Sequence, residues 1–381
     1  MSPARRVSGL AVSPIRRMAV GAPEGTISLA LGEPGWPLPG PARQALAAVG
    51  AADGAMPYGP NGSRPDLVEA VAACHGASAR PDQVMVTSGS QAALFALFAS
   101  HVEVGGTVLV PDPGFVSYLS LAQLCQARAV GYPLADDWSL DAASVVAALD
   151  AHPEASMVVL NHPANPTGGM ASAAALATVA EACARRGVLL VSDEVYRELW
   201  LDERPAGLHD VCDVDAGVVL GSVSKAWGAP GLRVGWAVGA PDVLAPARVV
   251  HNAMTTAAAR PSQDAALALL EASDVVLPEA REHVRERWAT LERVAPQLLQ
   301  QGGARRPPRR AGFYLWLPVP DGIPPGGTTD LALRVRDESL VTTVPGDAFG
   351  PGGAGWLRVS LGGPLTELEE GLARLAPWWK A

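Results

Sequence analysis

The sequence predicts an α/β protein: a large domain built on a mostly parallel sheet flanked by helices, accompanied by a smaller α+β domain. Three features carry that prediction. From about Arg80 to Ala240, short β-branched runs alternate with Ala/Leu-rich stretches of helical length, the pattern of a parallel sheet wrapped by helices. Small, polar and ionisable residues recur where those runs end. Near "EASDVVLPEAREHVRERWATLERV" the texture changes to a charged amphipathic helix, after which strands return. At 381 residues the chain also exceeds one ordinary core, so a second domain is expected. The expected division is an arm and part of the small domain at 1–45, the large domain at 46–274, and the small C-terminal domain at 275–381.

In order, the expected strands are "QVMVT" (83–87), "TVLVP" (107–111), "SMVVLN" (156–161), "GVLLVSD" (187–193), "GVVLGS" (217–222) and "RVGWAVG" (233–239). Helices are expected at "SQAALFALFASH" and "ASAAALATVAEACARR", between strands. "FYLWLPV" and "WLRVSL" read as strands of the smaller domain, and "TELEEGLARLAPWW" as its closing helix.

Composition excludes several classes. Nearly half of the residues are hydrophobic (49%) and 18% are charged, as in a compact globule. A net charge of −9 opposes general affinity for nucleic acid, and the basic "ARRPPRR" (304–310) reads as a solvated turn. Cys74, Cys125, Cys183 and Cys212 are far apart, with no metal-ligand spacing, so reduced thiols in the cytoplasm are expected and no metal site. No stretch has the length and apolarity of a membrane span, and the apolar run in "RRVSGLAVSPIRR" is too short for a signal peptide.

The chain holds 27 arginines and two lysines, Lys225 and Lys380. An arginine cannot form an imine because its guanidinium stays protonated, whereas a lysine amine with a lowered pKa attacks a carbonyl. Lys225 therefore stands out, and its surroundings add weight. In an open α/β sheet, ligands bind beyond the carboxyl ends of the strands. There "QVMVT" leads into "SGSQAAL", "TVLVP" into "DPGFVSY", "SMVVL" into "NHPANPTGG", "GVLLVS" into "DEVY", and "GVVLG" into "SVSK".

The ordered set TSGSQAAL, NPTG, SDEVY and SVSK, with Arg233 eight residues after Lys225, resembles the fold-type I pyridoxal-phosphate enzymes, specifically the class I/II aminotransferases. The resemblance runs from "LALGEPGWPLP" (29–39) through "YGPNGSRPDLVEAVA" (58–72) to "WLRVSLG" (356–362). It implies pyridoxal 5′-phosphate as cofactor and amino acids and 2-oxo acids as substrates. Lys225 would form the imine with the cofactor aldehyde and shuttle the substrate proton. Asp193 would pair with the pyridinium nitrogen, Asn165 and Tyr196 would hydrogen-bond the ring oxygen, and Phe115 would stack on the ring. The phosphate would be held by the amides of Gly89, Ser90 and Gln91, the Ser222 hydroxyl and Arg233, with Ser224 supporting. Arg358 would bind the substrate α-carboxylate as a fork, and Gly32 would lie where the main chain passes close to the substrate. Tyr58 matches a tyrosine that reaches the phosphate from the partner subunit, which implies a homodimer with shared sites. Trp36 and Trp227 either shape the substrate pocket or pack in the core, and Arg260 is a further candidate, by reading a second carboxylate or another anionic side chain in a neighbouring site.

The resemblance implies amino-group transfer by a ping-pong course. A lyase, a replacement enzyme or an amino-acid oxidase could keep every residue named. A non-catalytic sensor of the same fold would need a basic DNA-binding segment, for which the resemblance, starting by about residue 29, leaves no room.

Overall fold

The structure, a computed structural model, describes residues 4–10, 14–57, 59–75, 79–301, 311–323 and 327–379. The N-terminal segment contributes the short β1 (Ile27–Ser28). Then come β2 (Val84–Thr87), β3 (Thr107–Asp112), β4 (Arg128–Pro133), β5 (Ala155–Asn161), β6 (Leu189–Asp193), β7 (Val218–Ser222) and β8 (Gly235–Val238). These seven form one sheet in the spatial order β2-β8-β7-β6-β5-β3-β4. Strands β7, β6, β5, β3 and β4 pair in parallel, and β8 runs against both of its neighbours. The sequence reading anticipates six of the seven. It omits β4 because "RAVGYP" carries Arg, Gly and Pro, residues tolerated at the sheet edge where this strand lies.

Alternating side chains send each central strand's apolar residues to opposite faces. Val159, Val191 and Leu220 meet Leu94, Leu97 and Phe98 of the helix Ser90–His101. Val158, Leu190 and Val219 meet Leu176, Val179 and Cys183 of the helix Ala173–Arg186. That second helix is bounded as its sequence dictates. Ser172 accepts from the Ala175 amide at 3.1 Å, and Gly187 closes it in the left-handed region at φ 64°.

The C-terminal part adds β9 (Tyr314–Pro318), β10 (Val341–Thr342), β11 (Val344–Pro345) and β12 (Trp356–Ser360). Strands β11, β12 and β9 form an antiparallel sheet, while β10 pairs in parallel with β1, tying residue 27 to residue 341. The 22-residue helix Ser273–Val294 and the helix Leu365–Leu375 pack here. Tyr58, the basic stretch 304–310 and Lys380 lie outside the described residues. Among the described residues, no helix is long and apolar enough to cross a membrane.

Candidate active site

A cleft of about 550 Å³ opens beyond the carboxyl ends of β5, β6 and β7, between them and the segment around Gly32. Most of the expected site residues line it: Gly32, Ser90, Gln91, Phe115, Asn165, Asp193, Tyr196, Ser222, Ser224, Lys225, Arg233 and Arg358. Strand order brings this about, because β5, β6 and β7 are adjacent and parallel and each ends in a polar residue, Asn161, Asp193 and Ser222.

Lys225 Nζ donates to the Gly32 carbonyl at 2.5 Å. Burial, reinforced by the positive charge of Arg358, pushes its pKa down to about 8. Asp193, 7% exposed, accepts from the Tyr118 hydroxyl on Oδ2 at 2.8 Å, whereas its buried Oδ1 has no partner. Burial raises the Asp193 carboxyl to about 6, even against the hydrogen bond from Tyr118.

Arg358, on β12, is fully buried. Its Nη1 donates to Asn165 Oδ1 at 2.6 Å and its Nη2 to the Ala30 carbonyl at 2.5 Å, while Nε has no partner. The guanidinium faces the ring of Tyr314 at 4.6 Å and that of Phe349 at 5.0 Å. Tyr196 shares a 2.7 Å hydrogen bond with the Tyr314 hydroxyl. Phe115 lines the cleft and meets Tyr118 edge to face at 5.6 Å.

At the other end, the helix Ser90–His101 points its N-terminus into the cleft, where its first amides have no carbonyl above them. Gly89, at φ +88°, precedes it, and a Cβ there would meet Arg233 Nη2 at 2.5 Å. The Gly89 amide already donates to the Thr87 carbonyl at 2.8 Å, so it is not free for an anion. This glycine instead makes room for the arginine. Arg233 is exposed and donates from Nη1 to the Pro230 carbonyl at 3.0 Å. The Ser222 hydroxyl lies 2.8 Å from Ser224 Oγ and 2.9 Å from the Val234 carbonyl.

Of the two readings open for Trp36 and Trp227, pocket or core, the structure gives the core. Trp36, 8% exposed, stacks on His283 at 5.4 Å and carries Arg287 over its ring, and Trp227 donates to Ser273 Oγ at 3.0 Å beside Trp236. Both belong to the main apolar core, because large rings flanking a glycine-rich turn bury more area inward than in an open cleft. Arg260 opens the helix Arg260–Glu271, exposed, and does not line this cleft.

Sequence reasoning passed over Tyr118 and Tyr314. Tyr118 sits three residues after Phe115, a spacing that places both on one side of a turn. Tyr314 stands opposite Ser360 in the β9–β12 pairing, diagonal to Arg358, a neighbourhood visible only once the register is known.

Residues 24–375 match the family described as aminotransferase class I and II. The arginine–pyruvate transaminase of Pseudomonas aeruginosa is 30% identical over 363 residues, which cover 93% of this chain and 90% of that protein. The aspartate aminotransferase of Streptomyces avermitilis is 29% identical over 92% of this chain and 88% of its own. Among solved structures, Thermus thermophilus aspartate aminotransferase with maleate superposes with a TM-score of 0.87 at 27% identity, over 99% of this chain and 100% of that one. This chain belongs to the class I and II aminotransferases: it has the fold-type I architecture, and it is a transferase that works with pyridoxal 5′-phosphate.

The cleft fits that cofactor. The orphaned Asp193 Oδ1 suits a protonated ring nitrogen, the helix N-terminus with Arg233 suits a phosphate dianion, and Lys225, pushed down to about 8, suits an aldehyde.

Proposed function

We propose that Lys225 would hold the cofactor at its aldehyde and that the chain moves an amino group from an amino acid to a 2-oxo acid in two half-reactions at one site. The observation that carries this reading is the Lys225 amine, lowered to about 8, in the same cleft as a buried carboxylate with one vacant oxygen and a buried arginine. When bound, the cofactor supplies the carbonyl that takes the amino group and the ring that accommodates the charge left when the Cα–H bond breaks.

The chain's own residues do the rest. Arg358 binds the substrate carboxylate; its fixed orientation, set by Asn165 and the Ala30 carbonyl, holds the Cα–H bond towards Lys225. Among the described residues, Arg16, Arg233 and Arg358 line the cleft and of these only Arg358 is buried, so donor and acceptor compete for one carboxylate fork and bind in turn. Lys225 Nζ takes the Cα proton, and a pKa near 8 keeps a useful fraction neutral at physiological pH. Asp193 Oδ1 would hold the ring nitrogen protonated. Ser90, Gln91, Ser222 and Arg233 would hold the phosphate, with Gly89 giving space, Tyr196 and Asn165 would hydrogen-bond the ring oxygen, and Phe115 would stack on the ring.

The reading extends to assembly and place. A homodimer in which the partner's Tyr58 completes the phosphate site is supported by exposed apolar side chains at Met56 (59%), Val249 (70%) and Met254 (47%). A cytoplasmic setting is supported by four free cysteines. A large domain over 46–274 and a small one over 275–381 with the arm 1–45 are supported by the β1–β10 pairing.

The test is the absorbance of the protein with its cofactor while single amino acids are added. The reading expects one donor to bleach the visible band and a 2-oxo acid to restore it, with Lys225→Ala inert. Steady release of ammonia with no recovery by any 2-oxo acid would rule it out.

A further inference from the structure

Tyr314 lies where three of the cleft's groups meet, although it carries no ionisable charge near neutral pH and belongs to none of the motifs that mark the site. Its ring faces the Arg358 guanidinium at 4.6 Å, and its hydroxyl lies 2.7 Å from that of Tyr196. The same hydroxyl abuts Gly32, where a Cβ would overlap it, and the Gly32 carbonyl accepts the Lys225 amine at 2.5 Å. Tyr314 is 4% exposed and is held by Tyr196 and Phe313 rings at 5.5 and 5.1 Å, so its position is fixed by packing.

We propose that Tyr314 is a positioning residue that couples the carboxylate-binding Arg358 to Tyr196, its ring serving as the platform for the guanidinium and its hydroxyl as the donor to Tyr196. The inference rests on the roles proposed above for Arg358 and Tyr196. A tyrosine hydroxyl has one proton to give. If Tyr196 spends its proton on the cofactor's ring oxygen, its own oxygen is left as an acceptor, and Tyr314 must be the donor. A hydroxyl that receives a hydrogen bond is a stronger donor, so Tyr314 strengthens what Tyr196 does. The ring meanwhile fills one face of Arg358, whose Nε has no hydrogen-bond partner, and keeps the fork in the plane set by Asn165 and Ala30. Gly32 is then a glycine because of Tyr314: any side chain there would displace the hydroxyl.

The two halves of Tyr314 separate by mutation in the full holoenzyme. Tyr314→Phe keeps the ring and removes the hydroxyl. It is expected to leave the KM for donor and 2-oxo acid within about twofold, and to raise the pH midpoint of the cofactor's absorbance titration by roughly half a unit or more, because the ring oxygen loses part of its stabilisation. Tyr314→Leu also removes the platform and is expected to raise KM for both substrates roughly three- to thirtyfold. A Phe variant that titrates like the wild type, with the same melting temperature, would overturn the hydroxyl's role. A Leu variant with unchanged KM for both substrates would overturn the platform's. The titration needs bound cofactor but no turnover, so it decides the point even if Tyr314→Leu does not fold or the donor screen fails. A wild type with no reversible bleaching would count against the aminotransferase roles and not against this contact.

Discussion

Asp193 and Glu194 are neighbours in the chain, and both are more than nine-tenths buried, at 7% and 6% exposed. They nevertheless belong to two different regions. Asp193 faces the cleft with one oxygen unpartnered and its carboxyl pushed up to about 6 by burial. Glu194 joins a polar network behind the cleft. Its Oε1 accepts from Ser192 Oγ and the Leu208 amide, each at 2.8 Å, and its Oε2 lies 3.4 Å from Arg197. Arg197 in turn pairs with Asp210 and donates to the Pro205 carbonyl at 3.2 Å, while His162 lies 3.0 Å from Ser192 Oγ. Both carboxyls keep one oxygen without a hydrogen bond; the difference is that Glu194 Oε2 is paired with the Arg197 guanidinium, whereas Asp193 Oδ1 faces the cleft. An uncompensated buried charge costs stability and is kept where a ligand completes it; a compensated one holds the chain in place.

The sharpest way to break this distinction is to delete a charge on each side. Lys225→Ala is expected to lower turnover by at least about 10⁴-fold while the protein still folds and takes up cofactor, measured by rate and by far-UV melting. Loss of folding instead would place Lys225 with the network. Next, Arg197→Ala is expected to cost about 3–5 kcal/mol in urea unfolding, since Glu194 is left buried and unpaired, with turnover per folded molecule within about threefold of wild type. Collapse of turnover at unchanged stability would erase the boundary between the regions.

Asp193→Asn sharpens the contrast through pH. The Asp193 pKa is raised in the fold, from 3.8 to about 6, so the folded state favours the protonated form. The stability this provides is complete below the ordinary value and is lost as pH rises through about 6. Replacing the group should therefore stabilise the cofactor-free protein by about 3 kcal/mol at pH 8 and by little near pH 3.5, while activity falls. A gain independent of pH would remove the charge from the explanation. The smallest effect is expected of Tyr118→Phe. Loss of its hydrogen bond raises the Asp193 carboxyl further, so in the cofactor-free protein the pH above which Asp193→Asn becomes stabilising should move up by roughly half a unit when Tyr118→Phe is added, at about 1 kcal/mol in stability. An unmoved midpoint would make Tyr118 a packing residue only.

Much of the site was legible because its groups sit at the ends of successive strands, and strand ends can be read from local patterning. Lys225, Asp193, Asn165, Ser222 and the turn before Ser90 are each announced by a β-branched run that stops at a polar residue. The β4 strand was not, because an edge strand needs no such run. Trp36 and Trp227 were ambiguous because a ring beside a glycine-rich turn has the same sequence appearance whether it faces the cleft or the core.

The sequence by itself determined the α/β order, the identity of the one lysine suited to imine chemistry and the ordered motifs that mark the family, since these depend on residue type and spacing along the chain. The tertiary structure alone decided which oxygen of Asp193 is free, that the Gly89 amide is engaged while its Cα makes room for Arg233, and that Tyr314 stands between Arg358 and Tyr196. Those facts depend on contacts between segments as much as 328 residues apart, as in the bond from Arg358 to Ala30. Strand register and burial set such contacts, and local sequence carries no record of either.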